Sequence, residues 1–260
     1  MSDERKELFD KLYRDNQPKV YRLALSLAGS THDAEDITQE AFFRAFRSYD
    51  TFREESSFFT WIYRITVNVS NDYLKQRTKM PIEMLTEDMG YSLEEIIDPN
   101  PANNPETELM GHQTRIKCLH AMTECLPLEQ RKVFCLAITM GLPHKLIAEI
   151  LECSVSSVKT TLHRAKKRWN GYMENRCQFI KKTNPCNCRQ FVRFGLSKGW
   201  FSKDASVNPR HPAAIQAREE VIKLQTMHEL YRDLYPDRAD ESFAQRISDG
   251  IRNKEWAILS

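Results

Sequence analysis

"CSVSSVKTTLHRAKKRW", residues 153–169, decides how this chain is read. Taken as a helix, it opens at Ser154, whose hydroxyl can accept from a free amide of the first turn. Val155, Val158, Leu162, Ala165 and Trp169 recur every three or four residues and form one narrow apolar stripe. The other faces carry Ser156, Ser157, Lys159, Thr160, His163, Arg164, Lys166 and Lys167. A helix entering a major groove needs this order, with short polar groups near base edges and cations near phosphate. The stretch before it, "GLPHKLIAEILE" at 141–152, supplies a second short helix. Leu146, Ile147, Ile150 and Leu151 give that helix an apolar face, and Ala148 is small enough for close helix contact. Glu152 and Cys153 leave a brief turn between the two. Two helices, a tight turn and a polar start to the second make a helix-turn-helix. Periodicity alone also fits an amphipathic pair with a solvated basic face.

The rest of the chain frames that element. Its 260 residues are 41% hydrophobic and 28% charged, with a formal net charge of +2. Any nucleic-acid signal must therefore be local. The opening "MSDERKELFDKLYRD" lacks the apolar core of a signal peptide, and no later stretch reads as a membrane span. The expectation is a cytoplasmic protein whose seven cysteines form no disulfide framework. Glycine is scarce and no run alternates for long, which predicts an all-α fold. Composition divides the chain into 1–79, 80–108, 109–175 and 176–260. The predicted architecture is an N-terminal helical bundle and a helix-turn-helix domain, joined by a flexible acidic linker and followed by a helical C-terminal extension. The linker, "MPIEMLTEDMGYSLEEIIDPNPANNPETE" at 80–108, contains no Lys or Arg.

Two stretches of the first part carry candidate chemistry. In "HDAEDITQEAFFRAF", 32–46, Ile37, Ala41 and Ala45 face inward, while Asp36, Gln39, Glu40 and Phe43 share another face. Acids, an amide and an aromatic at helical spacing look like a docking surface, but this stretch alone is read first as a solvated acidic face with Phe43 partly buried. In 49–79, "YDTFREESSFFTWIYRITVNVSNDYLKQRTK", aromatics, amides and cations interleave. Splayed single-stranded bases ask for that mixture. Phe58, Trp61, Ile62 and Ile65 are the candidates for core.

In order, "DAEDITQEAFFRAF", "FREESSFFTWIYRITVNVSNDYL", an acidic linker and "CLPLEQRKVFCLAITMGLPHKLIAEILECSVSSVKTTLHRAKKRW" resemble bacterial RNA polymerase sigma factors of the extracytoplasmic-function group. The resemblance spans about residues 5 to 175. It implies a non-enzymatic specificity subunit whose partners are core RNA polymerase and promoter DNA. By the resemblance, residues 5–79 dock on the clamp helices of the largest polymerase subunit through Asp36, Gln39, Glu40 and Phe43. The −10 element would be read and melted by Phe52, Arg53, Ser56, Ser57, Arg64, Asn68, Asn71, Asp72 and Lys75. The −35 element would meet Ser156, Ser157, Lys159, Thr160, His163, Arg164 and Lys167. The linker would thread toward the RNA exit path. The chain departs from the family pattern at Pro143, His144 and Lys145, at Asp72, and at Glu152, where glycine is common.

The tail holds Cys177, Cys186 and Cys188. One reading is a zinc site, with His163, His211 or Cys153 completing the shell. A second is a redox-responsive thiol group, its pKa lowered by Arg176, Lys181, Lys182 and Arg189. A third is buried structural cysteines. Amphipathic helices are expected over 212–235 and from about 239 to 252, where they would add core, bind a partner such as an anti-sigma factor, or mask the DNA-reading domain. The competing function is a stand-alone helix-turn-helix regulator with a metal- or redox-sensing tail. An enzyme centred on the cysteines lacks a neighbouring base.

Overall fold

The structure is a computed structural model and describes residues 3–52, 56–74, 79 and 81–201. Arg53, Lys75, His211 and the two helices expected beyond residue 211 lie outside these residues. The described chain is helical without a strand, bearing only an isolated bridge between Cys177 and Cys186. It divides into two compact units. One contains residues up to 75 and 128–163, the other 76–127 and the stretch from 164.

In the first unit, α1 (Asp3–Ala28), α2 (Thr31–Ser48) and α3 (Phe58–Ser70) pack as a bundle. Gly29, at φ +74°, ends α1, and its amide donates to Leu25 O at 2.9 Å. That conformation favours glycine because it has no Cβ. Ser30 then caps α2 by accepting from Asp33 N, and Ser57 caps α3 by accepting from Thr60 N. The small residues Ala34, Ala41 and Ala45 are fully buried on α2 and allow close approach. Phe9 fills the gap, with its ring 5.2 Å from those of Phe46 and Tyr49, both edge-on. Phe58 and Ile62 are buried as expected, whereas Trp61 and Ile65 are only half-buried. Trp61 stacks on Phe52 at 4.7 Å instead of entering the core.

The same unit holds α7 (Leu128–Phe134), which runs into a π-helical turn at Cys135–Thr139. Then come α8 (His144–Ile150) and the first part of α9 (Val155–Arg176). Three bonds fasten α7 and its π turn to the end of α1. Arg131 Nη1 donates to Leu27 O at 3.3 Å, Cys135 Sγ to Ser26 O at 3.3 Å, and Arg22 Nη2 to Thr139 O at 3.2 Å. Arg131 has no exposed surface at all.

The second unit corrects the flexible linker. Residues 81–97 form short helices, α4 (Pro81–Glu83) continuing as a π turn to Asp88, and α5 (Leu93–Ile96). A capping box between Ser92 and Glu95 starts α5. Leu85 and Ile96 are buried against Phe191 and Phe194, with Ile82, Tyr91, Ile97 and Trp200 around them. Five apolar side chains spaced through the acids give the segment a core face, so it folds where composition alone suggested a solvated tether. α6 (Pro105–Glu124), the later part of α9, a 3-10 turn (Cys188–Phe191) and α10 (Val192–Ser197) complete the unit.

Candidate nucleic-acid interface and docking face

The sequence folds α9 as a half-buried rod. Val158 and Ala165 are fully buried, with Leu162, Trp169 and Met173 almost so. Val155, expected in this stripe, is instead exposed at the first turn. All seven candidates for −35 contact, Ser156, Ser157, Lys159, Thr160, His163, Arg164 and Lys167, are exposed. Ser154 Oγ accepts from Ser157 N at 3.1 Å, so the first turn is capped while the Ser156 and Ser157 hydroxyls face outward. One surface therefore offers hydroxyls, an imidazole and cations without internal ion pairs among the described residues.

The turn before α9 carries a strained residue. Glu152 sits at φ +52°, and it is the one non-glycine residue at positive φ among those described. A Cβ in that region costs about 1–2 kcal/mol. Its carboxylate meets Arg64 Nη1 of α3 at 2.9 Å, and Arg64 Nη2 also donates to Glu149 O at 2.8 Å. The Glu152 side chain is 67% exposed, so the ion pair contributes at most about 1 kcal/mol. Glu152→Gly is therefore expected to raise the melting temperature by about 2–4 °C, read by circular dichroism. A lowered midpoint would show that the Arg64 clamp outweighs the backbone strain.

Arg64 is thus held by the helix-turn-helix, and this is the main departure among the −10 candidates. Asn68, Asn71 and Asp72 are exposed at the end of α3. Ser57 acts as the cap, and Phe52 is packed between Trp61 and Phe58. Phe52 and Ser56 are half-buried. The docking candidates Asp36, Gln39, Glu40 and Phe43 share one half-buried face of α2, opposite Ile37 and Ala41. Asp36 meets His32 Nδ1 at 3.4 Å, and Glu40 accepts from Arg44 Nε at 2.6 Å. Both are exposed pairs within one helix, worth a few tenths of a kcal/mol and easily exchanged for a partner's cations. Burial, then the charges of Asp36, Glu40, Asp33 and Asp72, raise the pKa of Tyr73. The acids of α2 and the end of α3 therefore form one negative field.

The tail cysteines converge on a residue the sequence reading missed. Cys118 of α6 lines one small cavity of about 30 Å³ together with Cys177, Cys186 and Cys188. The proposed completing ligands Cys153 and His163 belong to the other unit. The expectation that nearby cations lower the thiol pKa values is overturned. Burial pushes Cys186 up to about 11 and Cys188 up to about 12. Cys177 is also raised by burial, against the pull of the Phe179 and Ile180 amides and Arg115. With no metal bound, burial favours the protonated thiol at these positions, which opposes redox exchange. Spacing along the chain could not have flagged Cys118, because it reaches the cluster only through packing of α6.

Comparison with known proteins agrees with the geometry. The sigma-70 region 2 family matches residues 12–80, the α1–α3 bundle and its exit. The sigma-70 region 4 family matches residues 116–168, which include the helix-turn-helix. The ECF RNA polymerase sigma factor SigE of Mycolicibacterium smegmatis is 34% identical over 166 residues, covering 64% of this chain and 61% of that protein. The ECF RNA polymerase sigma-E factor of Escherichia coli K12 is 34% identical over 142 residues, 52% of this chain and 71% of that protein. Its Haemophilus influenzae counterpart is 32% identical over 180 residues, 66% of this chain and 89% of that protein. With both sigma-70 regions in order and a relative covered almost from end to end, the chain belongs to the ECF sigma factors of RNA polymerase.

Proposed function

We propose that this chain binds core RNA polymerase through the acidic face of α2 and directs it to promoters, with α9 reading the upstream element and the end of α3 reading the downstream one. The observation that carries this reading is α9, with a buried stripe on one side and seven exposed groove-compatible residues on the other. No bond chemistry is needed. Binding energy from two modest DNA contacts, made on one polymerase, adds through effective concentration. Capture of an unstacked base then favours the open duplex, whose opening costs a few kcal/mol per base. No helix among the described residues is long and apolar enough to cross a membrane.

Run-off transcription with purified core polymerase tests the proposal. Promoter-specific transcripts are expected only when this chain is added. A stand-alone regulator would instead retard a DNA site tightly without polymerase, and that result would replace the present reading. Within holoenzyme, Arg164→Ala is expected to weaken upstream-element binding by about 5- to 100-fold, the 1–3 kcal/mol of one base-edge contact. If Arg164 contacts phosphate instead, the loss is uniform across sequences and the salt slope falls by about 1. An unchanged footprint and slope would remove Arg164 from the interface.

A further inference from the structure

We propose that Cys118, Cys177, Cys186 and Cys188 form a four-thiolate site for a thiophilic cation of the zinc type, tying α6 to the end of α9 and to the turn that follows. This stands independently of the sigma-factor reading.

Three elements bring the thiols together, and each is fixed by contacts of its own. Cys177 follows the last residue of α9. Its loop is closed by Cys186 N donating to Arg176 O and Gln178 N donating to Cys186 O, both at 2.9 Å. Asn184 Nδ2 locks that loop by donating to Glu174 O at 2.8 Å and Cys177 O at 3.0 Å. Cys188 opens the 3-10 turn, which packs on α6. The seat there is Gly111. A Cβ at Gly111 would lie 2.9 Å from Arg189 Cγ and 3.5 Å from Arg189 Cα, so only glycine lets the turn lie this close. Arg189 Nη1 then pairs with Glu108 at 2.6 Å. Gly111, Arg115 and Cys118 follow at four- and three-residue steps, so the seat and the thiol share one face of α6.

The chemistry of this cluster differs from that of the other buried cysteines. Cys125 and Cys135 each donate a hydrogen bond, to Lys79 O at 2.9 Å and to Ser26 O at 3.3 Å. They are satisfied structural thiols. The four cavity thiols donate none among the described residues, and none is in a disulfide. Arg115 lines the same cavity, its guanidinium carbon 4.2 Å from the centre of the Phe179 ring. A divalent ion with four thiolates carries two negative charges, and a cation held beside it offsets them. As placed, no three candidate ligands among the described residues could hold a metal ion, and binding requires the four sulfurs to close from the cavity wall to about 2.3 Å of the ion.

Cobalt(II), added to the reduced full-length chain, is the probe. One equivalent is expected to give thiolate charge-transfer and tetrahedral ligand-field absorption, both abolished by one equivalent of zinc. Cys118→Ser is expected to weaken cobalt binding at least about tenfold, whereas Cys153→Ser, at an exposed cysteine of the other unit, leaves it unchanged. Absence of a thiolate spectrum in the parent, or a Cys118→Ser titration that superimposes on it, overturns the site. Alkylation of the unmodified chain with and without zinc covers the case in which Cys118→Ser misfolds. Zinc should protect Cys118, Cys177, Cys186 and Cys188 while Cys153 still reacts. Equal labelling of Cys118 in the two samples would rule the assignment out.

Discussion

Asp36→Lys combined with Glu40→Lys is expected to weaken binding to core polymerase by two to three orders of magnitude, with the fold intact. The two side chains are 44% and 41% exposed and lie one helical turn apart on α2. Their internal partners, His32 and Arg44, are on the same helix and contribute little to stability. Reversal therefore leaves the core of α2, Ile37, Ala41 and Phe42, untouched. At an interface the same carboxylates lose water and meet fixed cations, where removing one charge of a pair costs about 2–5 kcal/mol. A reversal adds repulsion to that loss. The measurement is a holoenzyme binding isotherm at fixed low salt, beside a melting curve. Glu7→Lys, the same charge change at an exposed site on α1, is the control and should bind as the parent does. Parent-like affinity of the double variant would take the docking face off α2.

What made α2 and α9 legible was local. Their buried residues repeat at helical spacing, and capping serines stand where the helices begin, so face and start could be read without knowing any neighbour. The misreadings share the opposite cause. Residues 81–97 looked like a tether because acids outnumber apolar residues, and the partners of Leu85 and Ile96 are Phe191 and Phe194, almost a hundred residues away. Cys118 was passed over because its companions come from the end of α9 and beyond. Arg64 has the composition of a DNA contact, and its engagement by Glu152 depends on a tertiary meeting of α3 with the helix-turn-helix turn. The oddity at Glu152 was visible as a residue ill-suited to its turn. Its partner was not.

Arg131 ties α7 to the end of α1, and Arg131→Ala is expected to destabilise the first unit by about 2–5 kcal/mol. The guanidinium is wholly buried and donates to Leu27 O, at the end of α1. Truncation leaves both a cavity and a carbonyl that has lost a donor. Arg131→Met separates the two losses, because it refills much of the volume without donating, and should cost the polar interactions alone, about 1–3 kcal/mol. Urea unfolding of the three chains gives both numbers. The same pair of variants has a functional readout. While Arg64 is bound to Glu149 O and Glu152, it cannot also face a promoter. The bonds from Arg131, Cys135 and Arg22 favour that closed arrangement of the α1–α3 bundle and the helix-turn-helix. A ligand that binds only the open arrangement must supply the free energy that separates the two. Arg131→Met lowers that free energy without touching any residue assigned to DNA or polymerase. At limiting concentration it should therefore drive more run-off transcript than the parent, although it is the less stable protein. Lower stability with lower transcription would mean that the clasp supports the active form instead of opposing it.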